Sequence, residues 1–381
     1  MENMNLLNIV TIISLFISLF LAFFLITAKT EHKSSNALLA LFLVINAIDV
    51  SEPLVNSLVN GPSNLGMLRT TFAFLQIPVF YLYVLSVCYS DFKLKPQHLV
   101  HLLPFLIVNL MLLPRFYTVD IAEKISFIQN RQSRIEVQLI HIMIHVQIVI
   151  YLIAVFKVLR KSKKLYLENY AGKHINSYNW LFQFTLVLTI IYLVALLKNI
   201  LKFSDYPHLS DAIKIGLQLS QLFIICWYLF KALNNPGLFR NIDTKLKLVD
   251  EMVSEEKSKA PSVKEDNESL YTEELLKLKQ FMTEEKPFLN PALTIQDVSK
   301  QIGIPVRDLS LLINHQLRQH FYDFVNTYRI ESAMEILRDT TKSELTILEI
   351  LYEVGFNSKS SFNTAFKKHT NCTPTFYRKN L

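Results

Sequence analysis

Two stretches near the carboxyl end of the chain carry hydrogen-bonding side chains at helical spacing, over residues 306–314 and 359–368. At about 100° per residue, one face of each stretch is apolar and the opposite face is mostly polar. Polar side chains on such a face can recognise base edges in the major groove of DNA. The predicted outward residues are Arg307, Ser310, Leu311 and Asn314 in the first stretch and Ser360, Asn363, Thr364 and Lys367 in the second.

These side chains would distinguish different bases. Arg307 can pair with guanine, and either Asn314 or Asn363 can pair with adenine. Leu311 is the only apolar member, and it can touch the methyl group of thymine. A solvated polar face would explain either stretch alone. Because the pattern occurs twice, base contact is the favoured interpretation.

Cationic side chains surround the second stretch and are predicted to contact phosphates. Such contacts are independent of base sequence and weaken as salt rises. The segment 287–381 holds only slightly more basic than acidic residues, so non-specific affinity is predicted to be modest. The predicted phosphate contacts are Lys359, Lys368, Arg378 and Lys379.

The elements that would position these faces follow one template twice. Each unit begins with a Thr that can cap a helix, has an acidic residue three positions later, and ends its first helix at a glycine. A second helix follows each glycine, as in a helix-turn-helix unit. We therefore predict two such units, at about 293–316 and 345–369. The template positions are Thr294, Asp297 and Gly303, then Thr346, Glu349 and Gly355.

The same region carries a longer motif. Its second unit reads GF-x-S-x-x-x-F-x-x-x-F-K, followed by P-x-x-Y-R. The matching residues are Gly355, Phe356, Ser358, Phe362, Phe366, Lys367, Pro374, Tyr377 and Arg378, with Tyr328, Arg329, Ala333 and Leu337 upstream.

Residues 272–380 thus resemble the DNA-binding domain of the AraC/XylS family of bacterial transcription regulators. The resemblance implies two helix-turn-helix units on a rigid linking helix, with recognition helices in major grooves about one helical turn, roughly 34 Å, apart. Two positions depart from the family pattern. Leu351 replaces a usual Ala, and Pro305 replaces a usual capping Ser. They predict adjusted packing and an altered helix start.

The amino-terminal part is apolar and predicts membrane spans. About 20 apolar residues suffice to cross a bilayer. We therefore expect an all-α chain of about seven spans followed by the double helix-turn-helix domain. The apolar runs lie at 6–28, 37–59, 68–90, 98–114, 137–157, 180–201 and 211–233.

Basic residues predict the orientation of these spans. Cytoplasmic loops carry an excess of Lys and Arg. With the amino terminus outside, the inner loops 29–36, 91–97 and 157–179 hold ten such residues and the outer segments hold five. The chain is thus predicted to lie in the bacterial inner membrane with its carboxyl-terminal domain in the cytoplasm.

Polar residues within the spans are candidates for signal sensing. His141 and His145 lie four residues apart on one helix face, which would suit a ligand site or a metal. A pair of hydrogen bonds between helices is the alternative explanation, and it is favoured. Asp49 and Glu52, near the end of the second run, are candidates to line an external pocket.

Composition divides the chain into a membrane domain (1–235), a charged linker (236–270) and a DNA-binding domain (271–381). The linker contains a 4, 3, 4 apolar spacing, like a short coiled-coil seam, that could transmit movement of the last span; a disordered tether is the equal alternative. The seam residues are Ile242, Leu246, Val249 and Val253.

No metal-protease, hydrolase, phosphate-loop or dinucleotide motif occurs, so neither an enzyme nor a cofactor is predicted. The expected function is a membrane-embedded transcription regulator. The expected partners are double-stranded promoter DNA and membrane lipid; RNA polymerase, a second copy of the chain, and a small-molecule or membrane signal are further candidates. The alternative is a transporter or receptor whose carboxyl-terminal helical domain binds protein.

Overall fold

A computed structural model describes residues 6–27, 33–59, 61–89, 91–172, 175–202, 207–234 and 266–380. The chain divides into two compact units. The second unit includes residues 160–178 as well as the carboxyl-terminal part of the chain. The described residues are helical with no named strand, as predicted; one isolated bridge joins Tyr170 to Thr294.

The first unit is built from apolar helices. Among the described residues, six helices are long and apolar enough to cross a membrane by length and composition, and Ala212–Trp227 is a shorter apolar helix. The α-helices are α1 (Leu6–Thr27), α2 (Lys33–Val50), α3 (Glu52–Leu58), α4 (Asn64–Thr71), α5 (Ala73–Cys88), α6 (Leu103–Leu112), α7 (Ile121–Gln129), α8 (Ile135–Asn169), α9 (Ile175–Lys202) and α10 (Pro207–Asn234).

Three predicted spans are not single α-helices. The second is interrupted between α2 and α3, where Pro53 near the start of α3 lacks the N–H that would continue the hydrogen-bond ladder. The third is divided at Phe72 into α4 and α5. The fourth begins as the 3₁₀ helix Pro96–Leu102 and ends as the π-helix Leu113–Tyr117.

The second unit contains seven α-helices within residues 266–380, in addition to the end of α8. The segment Leu311–Gln316 continues α13 as a π-helix. The seven are α11 (Asp266–Glu284), α12 (Ile295–Ile302), α13 (Val306–Ser310), α14 (Phe321–Arg338), α15 (Ile347–Glu353), α16 (Lys359–Thr370) and α17 (Pro374–Lys379).

Helix α14 connects two separate hydrophobic cores. Its first half supplies Phe321 and Val325 to the core around α12 and α13. Its second half supplies Ile330 and Ala333 to the core around α15 and α16. This is the long linking helix that the resemblance implied.

Most of the predicted linker lies outside the described residues, including the seam from Ile242 to Val253. The end of the predicted linker is already helical, since α11 begins at Asp266.

Candidate nucleic-acid interface

The first helix-turn-helix unit starts at a capping box. Thr294 Oγ1 accepts a hydrogen bond of 3.2 Å from Asp297 N, and Asp297 Oδ2 accepts one of 3.0 Å from Thr294 N. These bonds satisfy two backbone donors that the helix start leaves unpaired. Gly303 ends α12 at φ 73°, in the left-handed region. The predicted start and stop are both present.

The second helix-turn-helix unit repeats this geometry. Thr346 N donates to Glu349 Oε2 at 2.7 Å, and Glu349 N donates to Thr346 Oγ1 at 3.2 Å. Gly355 has φ 87°. A Cβ at this position would lie 2.5 Å from the carbonyl oxygen of Phe288. Glycine is therefore required here both for the turn and for the close approach of another backbone segment.

Arg329 lies at the centre of the second of the two compact units into which the chain divides, and only 1% of its surface is exposed. Its Nε donates to Phe288 O at 2.7 Å, and its Nη2 donates to Asn290 O at 2.7 Å. Its Nη1 donates to Ala171 O at 2.8 Å. Burial lowers the pKa of the Arg329 guanidinium to about 10, so the group stays charged at neutral pH. Carbonyl oxygens thus solvate a buried cation and fix the 288–290 loop to α14.

The recognition helix of the second unit, α16, presents the predicted face. Phe362 and Phe366 are fully buried in the second core. On the opposite side Ser360, Thr364 and Lys367 are exposed, and Asn363 is half-buried. This polar face remains our predicted base-contact surface.

The first recognition helix differs from the prediction. Arg307 is exposed, but Ser310 and Leu311 are only 1% and 4% exposed. The prediction that Ser310 and Leu311 face outward is therefore wrong for this structure. Ser310 lies inside α13, and its Oγ accepts a hydrogen bond of 3.1 Å from Asn314 Nδ2, so these two polar groups pair with each other. Leu311 packs into the interior at the residue where the π-helix begins.

The side-chain amide of Asn314, in the first helix-turn-helix unit, also makes hydrogen bonds within the protein. Its Oδ1 accepts a bond of 3.1 Å from Phe321 N, at the start of α14. Its Nδ2 donates to Ser310 O at 3.1 Å and to Glu168 O at 3.3 Å. The predicted outward amide is thus a bridge between α13, α14 and the end of α8.

The four predicted phosphate contacts fall into two groups. Lys359 and Lys379 are exposed. Lys368 is exposed and forms an ion pair of 2.7 Å with Asp323 on α14. Arg378 instead donates from Nη1 to Leu345 O at 2.7 Å, which ties α17 to the loop before α15. A structural role for Arg378 was not predicted.

The histidine pair in α8 lies in the first unit. His145 Nε2 and Asn199 Nδ2 are 3.2 Å apart, a hydrogen bond between α8 and α9 of the kind the favoured alternative describes. Within the described residues, no group of three or more His, Cys, Asp or Glu side chains could hold a metal ion. His141 stays a sequence-based candidate.

Sequence reasoning missed the contact between residues 160–172, here called the docking segment, and the first helix-turn-helix unit. Ala171 N donates to Leu293 O at 3.1 Å, and Ala171 is buried in the first core. Tyr170 pairs with Thr294 beside it. No local pattern near residue 170 signals this contact, since its partners are distant in the sequence.

Two capped helix pairs, each turning at a left-handed glycine and joined by one helix, define a helix-turn-helix DNA-binding domain. A family model described as "Helix-turn-helix domain" matches residues 298–380. The carboxyl-terminal part of the chain is an AraC-type helix-turn-helix domain.

Several regulators are similar to this part of the chain. An HTH-type transcriptional regulator of Staphylococcus aureus (strain COL) is 36% identical over 86 residues, which are 23% of this chain and 11% of the relative. The HTH-type transcriptional regulator YkgA of Escherichia coli (strain K12) is 29% identical over 90 residues, 24% of this chain and 36% of the relative. The chain therefore spans about a tenth to a third of the length of these relatives.

A solved structure is also similar in sequence to part of this chain. The C-terminal domain of AraT, a response regulator from Geobacillus stearothermophilus, is 32% identical with a TM-score of 0.24, covering 27% of this chain and 82% of that chain.

Proposed function

We propose that this chain is a bacterial inner-membrane transcription regulator that binds promoter DNA sequence-specifically through two recognition helices and senses a signal in its apolar domain. The observation that carries the proposal is the repeated helix-turn-helix geometry on α14, in a chain that also has six helices of membrane-spanning length in its described part.

The proposed base-reading set is Arg307 on α13 and the polar face of α16. Arg307 suits guanine, and Asn363 suits adenine. Ser360, Thr364 and Lys367 complete the set on α16. Ser310, Leu311 and Asn314 would need a change of their surroundings before they could reach a base.

The proposed phosphate contacts are Lys359, Lys368 and Lys379. Lys368 can exchange its ion pair with Asp323 for a phosphate, because an exposed pair of this kind is worth only about 0–1 kcal/mol. Arg378 is left out of the phosphate set, because its hydrogen bond to Leu345 O stabilises the second helix-turn-helix unit. The basic loops favour a cytoplasmic position for this domain.

The test is selection of bound duplexes from a random pool by the full chain in detergent micelles. We expect enrichment of a site with two half-sites about one helical turn apart. Equal recovery of all duplexes would contradict sequence-specific binding and would favour a protein-binding tail. Protease digestion of a carboxyl-terminal tag in inside-out and right-side-out vesicles tests the orientation, with cleavage expected only in inside-out vesicles.

A further inference from the structure

The first unit encloses a cavity of about 240 Å³ between α2, α5, α9 and α10, with the start of α3 at one end. Ligand pockets usually measure about 300–1,000 Å³. The cavity therefore suits a small molecule. Its wall changes character along its length, from charged through neutral polar to apolar.

The charged end carries two acids and two bases. Glu52 and Lys214 are paired, with Lys214 Nζ 2.8 Å from Glu52 Oε1. Asp49 and Lys198 also line the cavity, and their charges are near enough to influence each other. Among the described residues, no hydrogen bond or ion pair satisfies the Asp49 carboxylate or the Lys198 ammonium. One carboxyl group and one amino group, both half-buried, thus face the same cavity without a side-chain partner among the described residues.

A belt of neutral polar groups separates this end from the apolar end. Asn46 Oδ1 accepts hydrogen bonds from Gln76 Nε2, at 2.8 Å, and from Gln221 Nε2. Tyr192 Oη donates to Gln76 Oε1 at 3.2 Å. The belt joins α2, α5, α9 and α10, so its shape depends on the arrangement of these four helices.

The apolar end is formed by Leu39 and Phe42 from α2, Leu188 from α9 and Ile225 from α10. These apolar side chains can contact a hydrocarbon group of a ligand and exclude water from it. The cavity is therefore complementary to a molecule with two opposite charges at one end and an apolar group at the other.

We propose that this cavity binds a small apolar α-amino acid or a short apolar peptide. The ligand ammonium would pair with Asp49 and the ligand carboxylate with Lys198. Asp49 and Lys198 are half-buried, and a bound ligand would shield them further from water, so a zwitterion that pairs with both groups at once suits the site. The inference deepens the sensing role and rests on the proposed function.

Equilibrium binding of radiolabelled leucine and of dileucine to the full chain in detergent tests the proposal without DNA. We expect saturable binding of at least one probe. We expect isoamylamine and 4-methylpentanoate, which each carry one of the two charges, to compete at least about tenfold more weakly. Asp49→Asn and Lys198→Met should each weaken probe binding at least about tenfold.

The matched control is Glu123→Gln, at an exposed residue of α7 outside the cavity, which should leave binding unchanged. Thermal unfolding of each variant reports whether it is folded. Absence of saturable binding by either probe, or unchanged affinity in both folded cavity variants, overturns the proposal. Gel shifts on the same preparation separate the two ideas: DNA binding without probe binding rejects only the cavity, and probe binding without DNA binding rejects only the regulator.

A second inference comes from the docking segment. Lys163 and Leu167 line a groove of about 1,050 Å³ together with Asn314 of the first recognition helix and Thr364 of the second. Asn314 and Thr364 both belong to the predicted base-contact set. The docking segment therefore shares a groove with one residue of each recognition helix, and Thr364 belongs to the proposed base-reading face.

The contact is held at three points. The Glu168 carbonyl accepts from Asn314 Nδ2 at 3.3 Å, Ala171 N donates to Leu293 O at 3.1 Å, and the Ala171 carbonyl accepts from Arg329 Nη1 at 2.8 Å. We infer that the docked segment restrains the first recognition helix and lowers DNA affinity until it is released. This inference also rests on the proposed function.

Gly172→Val in the full chain tests the restraint. A Cβ at Gly172 would lie 3.3 Å from Tyr166 Oη and 3.4 Å from Pro291 O, so a branched side chain should displace the segment. Leu167→Ala shortens a side chain of the docking segment that lines the groove, and so weakens the same contact without adding a clash. We expect both variants to bind the selected duplex at least about fivefold more tightly than the unsubstituted chain.

Gly216→Val is the matched control, because a Cβ at Gly216 meets nothing within 4 Å and the residue lies on α10. It should leave DNA affinity unchanged. Equal or weaker DNA binding by both released variants overturns the inference, since the segment would then be either neutral or part of the binding surface.

Discussion

The guanidinium of Arg329 and the backbone carbonyl of Ala171 are joined by a hydrogen bond of 2.8 Å across a sequence separation of 158 residues. The same guanidinium holds the 288–290 loop through two further carbonyl oxygens. Arg329 therefore couples the segment that follows α8 to the helix that carries both helix-turn-helix units.

Arg329→Lys should destabilise the DNA-binding domain by about 2–4 kcal/mol. An ammonium cannot reproduce the planar arrangement of donors, and buried carbonyls left without partners are costly. Urea denaturation followed by hydrogen-exchange protection of α14 measures the effect. Arg307→Lys, at an exposed position, is the control and should change stability by less than about 0.5 kcal/mol. Equal stability of both variants would contradict the central role of Arg329.

The two turn glycines should respond differently to alanine. Gly303→Ala should lower the free energy of unfolding by about 1–2 kcal/mol, because it imposes only a left-handed backbone on a side chain. Gly355→Ala should lower it by about 3 kcal/mol or more, since the added methyl group also meets the 288–289 backbone. Comparison of the two unfolding midpoints checks the order, and a reversed order would show that the loop moves aside.

Asn363→Ala should cost about 1–3 kcal/mol on the selected site and relax specificity at one base pair. Lys359→Gln should weaken binding about equally on all duplexes and reduce the salt slope by about one unit. Gel shifts on selected and unrelated duplexes over a range of salt concentrations distinguish these effects. A uniform loss for Asn363→Ala would reassign the amide to the DNA backbone.

The capping box of α15 should show a pH dependence. Hydrogen bonds from the backbone N–H and hydroxyl of Thr346 hold the pKa of Glu349 below its usual value of 4.5. A folded pKa below the unfolded one stabilises the helix above the unfolded value, and this contribution disappears as the pH falls through the folded value. Hydrogen-exchange protection of α15 should therefore fall on acidification in the unsubstituted chain.

In Glu349→Gln, that acid-dependent part of the protection of α15 should be absent. An amide can still accept the same hydrogen bonds but does not titrate. Protection of α12, which has its own capping box, provides the reference within each sample. Identical acid profiles of α15 in both chains would contradict the titration of this cap.

Local patterns in the sequence predicted several features correctly. The capping residues Thr294 and Thr346 and the turn glycine Gly355 occupy the predicted roles. Phe362 and Phe366 are buried as their spacing indicated. These features depend on residues within a few positions of each other, where backbone conformation and helix periodicity are sufficient.

Other features depended on contacts that no local pattern contains. Leu311 is buried at the start of a π-helix, although a count of 100° per residue had placed it outside. The charged cavity unites Asp49 with Lys198, and the docking segment unites Ala171 with Arg329. The sequence by itself determined the capped starts of α12 and α15 and the glycine turns that follow them, because those energies are local. The tertiary structure decided which polar groups meet and which are covered, because those energies arise between residues that only folding brings together.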